Sequence, residues 1–165
     1  MTDEKTKELV GEILNCAQKR RLMIGTAESC TGGLVAATLT SVPGSSTVVD
    51  RAFITYSNAA KMDMLGVDPL TLRRCGAVSG ETAREMAYGA KRRSAARLVV
   101  STTGIAGPDG GTEEKPVGLV CFGLAAPGGI IRSEQCVFDD EGREAIREAA
   151  VRHALNMLLS ALEAR

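Results

Sequence analysis

Short apolar runs alternate with stretches of helical period along this 165-residue chain, and that alternation restricts it to an α/β architecture. Its first instance sets the pattern. Leu22, Met23 and Ile24 read as a short buried strand, GTAESCTGG (25–33) interrupts the apolar character, and 31–40 resumes with helical spacing before the turn residues of 42–46. The result is a β-turn-α unit. Upstream, Thr2 is placed to cap a first helix, with Asp3 and Glu4 in its first turn and Lys19, Arg20 and Arg21 at its end, the charge order that the helix dipole favours. Leu9, Val10, Ile13, Leu14 and Ala17 form its buried stripe.

The alternation continues downstream. The span 47–56 is rich in β-branched and aromatic residues and predicts a strand, after which Asn58 is placed to cap a short helix ending at Leu65. A helical turn over 69–74 ends at Gly76, and Ser79 caps a longer helix whose Ala83, Met86, Ala87 and Ala90 face the core before Lys91, Arg92 and Arg93 close it. An apolar strand follows at 97–101, then TTGIAGPDGGTEEKP, the longest glycine-rich loop. Spans 117–125 and 130–138 flank Pro127-Gly128-Gly129 and predict an antiparallel hairpin; 139–164 is the last helix. Five strands alternating with helices, one hairpin among them, predict a three-layer α/β/α sandwich with a mixed, mostly parallel sheet, in one domain over 1–165.

Charge and cysteine content narrow the partners. Lysine plus arginine equal aspartate plus glutamate at 20 each, so no net field favours nucleic acid or an anionic membrane, and any anion must be held locally. No apolar run approaches the ~20 residues of a membrane helix, and MTDEKTKELVGEIL is too charged for a signal peptide, which predicts a cytoplasmic protein. The five cysteines are odd in number and form no C-x-x-C, which argues against a disulfide framework and structural zinc. Cys16, Cys121 and Cys136 read as small buried hydrophobes. No cluster of His, Cys, Asp and Glu suggests a metal, and no cofactor is called for.

Chemistry has few places to reside. No two of the 18 glycines are separated by a single residue and no Gly-Lys pair occurs, so the dinucleotide fingerprint and the P-loop are both absent. What remains is Ser29-Cys30-Thr31-Gly32-Gly33 at a strand-to-helix turn, where free N–H groups suit a phosphate or an oxyanion. The plainer alternative is that Ser29 or Thr31 caps the helix and the glycines permit close packing. His153, the sole histidine, falls on the apolar face of the last helix and reads as a core or rim residue, so a base for Ser29 has to be lysine, tyrosine or a carboxylate. TYSNAAK (55–61) brings Tyr56, Asn58 and Lys61 within a turn and a half of one another, although Lys61 taken alone also suits a solvated surface. Ligand sites in open α/β sheets form outside the carboxyl ends of strands, and 25–33, 55–61 and 101–111 are three such ends carrying small polar residues.

TAESCTGGLVAATLTSVPGSS, TYSNAAKMDMLGV, GAVSGETAREMA and TGIAGPDGGTEEKPVGLV, in this order and spacing, resemble the CinA C-terminal-domain family across nearly the whole chain. The resemblance implies an α/β/α fold, usually a homodimer, and a hydrolase that converts nicotinamide mononucleotide and water to nicotinic acid mononucleotide and ammonia. Position by position, it implies Ser29 as nucleophile, Lys61 as base and Tyr56 as assisting tyrosine, with Asn58, Thr103 and Arg143 in the site. The amides of Cys30, Thr31, Gly32 and Gly33 are then the oxyanion donors, and the loop opened by Gly104, Ile105, Ala106 and Gly107 cradles phosphate or ribose. The family often has an acidic residue where this chain has Ala59. The alternative is a non-catalytic nucleotide-binding or regulatory module built from the same loops.

Overall fold

Along the chain the computed structural model, which describes residues 3–139 and 141–164, runs α1 (Glu4–Arg20), β1 (Ile24–Glu28), α2 (Leu34–Thr40), β2 (Val49–Ile54), α3 (Asn58–Leu65), α4 (Pro69–Cys75), α5 (Gly80–Arg92), β3 (Leu98–Gly104), β4 (Leu119–Ala125), β5 (Ile131–Val137) and α6 (Arg143–Glu163). The strands form one sheet in the order β2-β1-β3-β4-β5. β1, β2 and β3 are mutually parallel, while β4 is antiparallel to both β3 and β5, so four of the five strands point the same way. The mixed, mostly parallel sheet follows the predicted alternation.

Both faces of the sheet are covered. On one, Val10 and Ile13 of α1, Val35 and Leu39 of α2 and Ile146 and Leu158 of α6 pack on Leu98, Val100 and Phe122. On the other, Leu65 of α3 and Met86, Ala87 and Ala90 of α5 pack on Ala27, Val99 and Ala125. The period-2 geometry of β3 sends Val99 to one core and its neighbours Leu98 and Val100 to the other, which is why that strand reads as an unbroken apolar run. Each such fully buried side chain contributes roughly 1.5–3 kcal/mol relative to exposure.

Several expected boundaries move, each for a physical reason. The first strand is Ile24–Glu28 rather than 22–24, because Leu22 and Met23 are only half-buried whereas all five residues of β1 are buried between two helical layers. α2 begins at Leu34 rather than at 31, since Gly32 (φ +58°) and Gly33 (φ +100°) adopt left-handed conformations that a right-handed helix cannot continue. Neither Ser29 nor Thr31 is its N-cap, which is Gly33. The second strand is trimmed to Val49–Ile54 because Ser45–Thr47 closes a 3₁₀ turn. Ser57, not Asn58, caps α3 by accepting from the Ala60 N–H. Thr2 lies outside the described residues; Asp3 caps α1 by accepting from the Thr6 N–H at 2.8 Å. β3 runs on to Gly104, three residues past the expected end, because Ser101, Thr102 and Thr103 stay in the ladder with β4. The last helix starts at Arg143, after Gly142 at φ +99°. Cys121 is buried as expected, whereas Cys16 and Cys136 are half-buried. His153 rests on the Phe122 ring, centroids 4.4 Å apart. Among the described residues no helix is long and apolar enough to cross a membrane.

Candidate active site

Glu28 ends β1 level with Ile54 of β2 and Thr102 of β3, so the residues that follow, Ser29, Thr55 and Thr103, stand side by side at the carboxyl edge of the sheet. Backbone bonds hold that alignment: the Ser29 N–H donates to the Thr102 carbonyl at 2.9 Å and the Thr55 N–H to the Glu28 carbonyl at 2.8 Å. Burying a carboxylate is costly unless its oxygens are satisfied. Glu28, with no exposed surface, meets that condition through five donors. Oε1 accepts from the Thr26 hydroxyl at 3.0 Å and the Ala36 N–H at 2.9 Å; Oε2 accepts from the Thr31 hydroxyl at 2.7 Å and the N–H groups of Gly33 and Val35 at 3.0 and 3.1 Å. Glu28 thus does for α2 what a capping side chain normally does. The Gly32 N–H turns back to the Ser29 carbonyl at 3.0 Å. Among the described residues, the N–H groups of Cys30 and Thr31 meet no oxygen acceptor, and the group they face is the Cys30 thiol.

Lys61 emerges from the first turn of α3 and is only 1% exposed. Its Nζ lies 3.0 Å from Ser29 Oγ, 2.9 Å from the Thr55 carbonyl and 3.3 Å from the Tyr56 carbonyl. Burial lowers its pKa below the usual lysine value, while the adjacent Cys30 acts in the opposite direction. A neutral amine in this cradle keeps two hydrogens on the two carbonyls and aims its lone pair at the Ser29 hydroxyl. That is the arrangement of a general base on an alcohol nucleophile. Cys30, next to Ser29, points to no such role: burial pushes its thiol up to about 12, far from the thiolate that nucleophilic sulfur requires.

A more exposed rim faces the other side of the turn. Tyr56 is 60% exposed, and its hydroxyl accepts from Arg143 Nη2 at 2.9 Å. Arg143 Nη1 also donates to the Gly107 carbonyl at 2.8 Å, so one guanidinium ties the end of β2 to the glycine-rich loop. One helical turn later, Arg147 donates from Nε to the Cys30 carbonyl at 3.1 Å and from Nη2 to the Thr31 carbonyl at 3.0 Å. Thr103 is buried, its hydroxyl donating to the Ala77 carbonyl at 2.7 Å. Lys115 Nζ, from the far end of the same loop, donates to the carbonyls of Cys75 and Val78 at 2.6 and 2.8 Å.

Ser29, Lys61, Cys30, Thr31, Gly32 and Gly33 therefore form one contiguous centre, and Tyr56, Arg143 and Gly107 form a second group beside it. Gly104 and Ile105 pair with β4 residues at the mouth of the loop, and Ala106 is buried there. Asn58 is exposed on the first turn of α3. Sequence reasoning missed Glu28, Arg147 and Lys115. An acidic residue just ahead of a helix start is a readable cue for the first. The i, i+4 spacing of Arg143 and Arg147, which puts both on one helix face, is a cue for the second. Among the described residues no group of three or more His, Cys, Asp or Glu side chains is arranged to hold a metal ion.

The family described as CinA C-terminal domain matches residues 5–162. A CinA-like protein of Chlorobaculum tepidum is 50% identical over 161 residues, covering 93% of this chain, and the chain spans 38% of that relative's length. The nicotinamide-nucleotide amidohydrolase PncC of Enterobacter agglomerans is 46% identical over 152 residues, with 92% of each chain covered. The crystal structure of the competence/damage inducible protein CihA from Agrobacterium tumefaciens superposes with a TM-score of 0.95 at 50% identity, covering 98% of both chains.

Proposed function

The chain belongs to the CinA C-terminal domain family, and from that premise we propose that it is a nicotinamide-nucleotide amidase working through Ser29 and Lys61. The observation that carries this is the Lys61 Nζ held 3.0 Å from Ser29 Oγ in a buried cradle. The nicotinamide-nucleotide amidohydrolase that is similar to this chain over 92% of both lengths supports the choice of substrate.

In this reading Ser29 Oγ attacks the carboxamide carbon of nicotinamide mononucleotide while its proton passes to Lys61 Nζ. The carbonyl electron pair moves to oxygen, and the resulting oxyanion takes hydrogen bonds from the N–H groups of Cys30 and Thr31. Lys61 returns the proton to the amide nitrogen, the C–N bond breaks, and ammonia leaves a nicotinoyl ester on Ser29. Water then attacks the ester with Lys61 again accepting a proton. Nicotinic acid mononucleotide departs, and Ser29 recovers its hydrogen. Tyr56 assists at the rim with its hydroxyl oriented by Arg143, and Arg143 with the 104–107 loop receives the ribose phosphate. In this reading Asn58 and Thr103 complete the substrate site.

Five free cysteines suit the reducing cytoplasm, which is where we assign the enzyme, as a homodimer. Light scattering reads the oligomeric state. The function itself is tested by incubating the purified protein with nicotinamide mononucleotide and quantifying both products. Equimolar ammonia and nicotinic acid mononucleotide, lost in Ser29→Ala, is the expected result; absence of both products with the native protein overturns the reading.

A further inference from the structure

We infer that Arg147 is a positioning residue for the oxyanion-binding amides, holding and polarising the 29–32 turn from behind. The inference rests on the amidase reading for its substrate but on geometry for its mechanism. A peptide unit joins one residue's carbonyl to the next residue's N–H. The Cys30 carbonyl that accepts from Arg147 Nε therefore belongs to the unit that carries the Thr31 N–H. A cation bonded to the oxygen of an amide draws electron density from its nitrogen and strengthens the N–H as a donor. The Ser29 carbonyl, on the unit that carries the Cys30 N–H, is likewise occupied by the Gly32 N–H. The two amides that face the weakly accepting Cys30 thiol and no oxygen thus sit on peptide units whose oxygens are already engaged.

Five further observations fit the assignment. Arg147 extends from a helix anchored by buried Ile146 and Ala150, so its guanidinium is held by a rigid element. Among the described residues no carboxylate lies within ion-pair distance of it, so no direct partner cancels its charge behind the turn. A Cβ on Gly32 would stand 3.3 Å from Arg147 Nη2, and the φ of +58° at that position disfavours any side chain, so turn and guanidinium are mutually fitted. Glu28 grips the opposite flank through the Gly33, Val35 and Ala36 amides, leaving only the first two amides of the turn to face a ligand. Arg143, four residues earlier on α6, bonds the rim instead, so the two arginines divide the site between them.

The test uses Arg147→Gln and Arg147→Lys with two readouts. In turnover of nicotinamide mononucleotide, Arg147→Gln lowers kcat about 10- to 100-fold with KM within about threefold, less than the ~10²–10³ lost when an oxyanion donor itself is removed. In the second readout, a fluorophosphonate probe phosphonylates Ser29 with loss of fluoride, developing charge on a phosphoryl oxygen at the same amides without any nucleotide. That rate falls in parallel. Arg147→Lys, which keeps the charge and reaches one carbonyl, recovers part of both losses, and it decides the matter if the glutamine variant fails to fold. A KM-only defect, a wild-type labelling rate in the variants, or no labelling of the native protein overturns the inference. Labelling that depends on Arg147 in a protein releasing no ammonia upholds it while removing the amidase reading.

Discussion

Lys61 and Lys115 each lodge a terminal amino group on two backbone carbonyls, yet they differ in burial and in what else that group meets. Lys61 is fully buried, its third neighbour is the Ser29 hydroxyl, and burial depresses its pKa. Lys115 is half-buried, its carbonyls belong to the α4–α5 junction, and its role is to pin the far end of the glycine-rich loop against that junction. A pair of carbonyls is therefore a generic seat for a lysine. In the proposed mechanism, what turns one seat into a base is the exclusion of water together with a hydroxyl hydrogen at the third position.

The largest test of that contrast is deletion of each amine. Lys61→Met is expected to lower kcat by about 10²–10⁴-fold, the usual range for losing a positioned proton acceptor, with little change in KM. Lys115→Met is expected to retain most of kcat but to lose about 1–3 kcal/mol of stability, the range for hydrogen bonds to a charged donor, read in urea melts. Equal kinetic damage from both substitutions would erase the distinction drawn between the two seats.

A subtler effect concerns pH. Burial sets the folded-state pKa of Lys61 below the ordinary 10.5, so over the interval between them the unfolded chain holds a proton that the folded protein has released. The stability of the native protein relative to Lys61→Met should rise with pH across that interval and fall as pH drops through the folded value. Melts of both proteins from neutral pH to pH 10 measure it; a flat difference means that burial does not perturb the amine. The smallest effect is expected at Cys30. With its thiol pushed up to about 12, it should resist iodoacetamide at pH 8, and Cys30→Ala should keep turnover within about twofold of the native rate. A large loss would show that the thiol, and not burial alone, sets the state of Lys61.

The layered fold and most helices were legible because periodicity reports burial. β1 was harder. Its GTAE tail looks like a loop, yet it is a fully buried central strand: a Cβ at Gly25 would stand 3.0 Å from the Ala96 Cβ, and Glu28 is tolerated because amides and hydroxyls satisfy it. Apolar character is a proxy for burial, and it fails where polar groups are internally paired. The centre itself was partly legible. Ser29 and Lys61 stood at strand ends that open α/β sheets use for ligands, and their 3.0 Å contact follows from parallel β1 and β2. Glu28, Arg147 and Lys115 act largely through backbone groups that carry no side-chain signature, so spacing and charge order could point to the first two but not to what they hold.

The Cys30 carbonyl is gripped by a residue 117 positions further along the chain. During synthesis, the strand and turn bearing Ser29 leave the ribosome long before α6 does, and helix α3, which carries Lys61, follows them closely. Ser29 and Lys61 are thus both translated while the Arg147 contact is still missing. On the proposed reading, a hydrolytic centre completed by so distant a contact stays unfinished in every shorter nascent intermediate and reaches full activity only with the docking of one late helix, so full catalytic competence reports the closing stage of folding and not an early one.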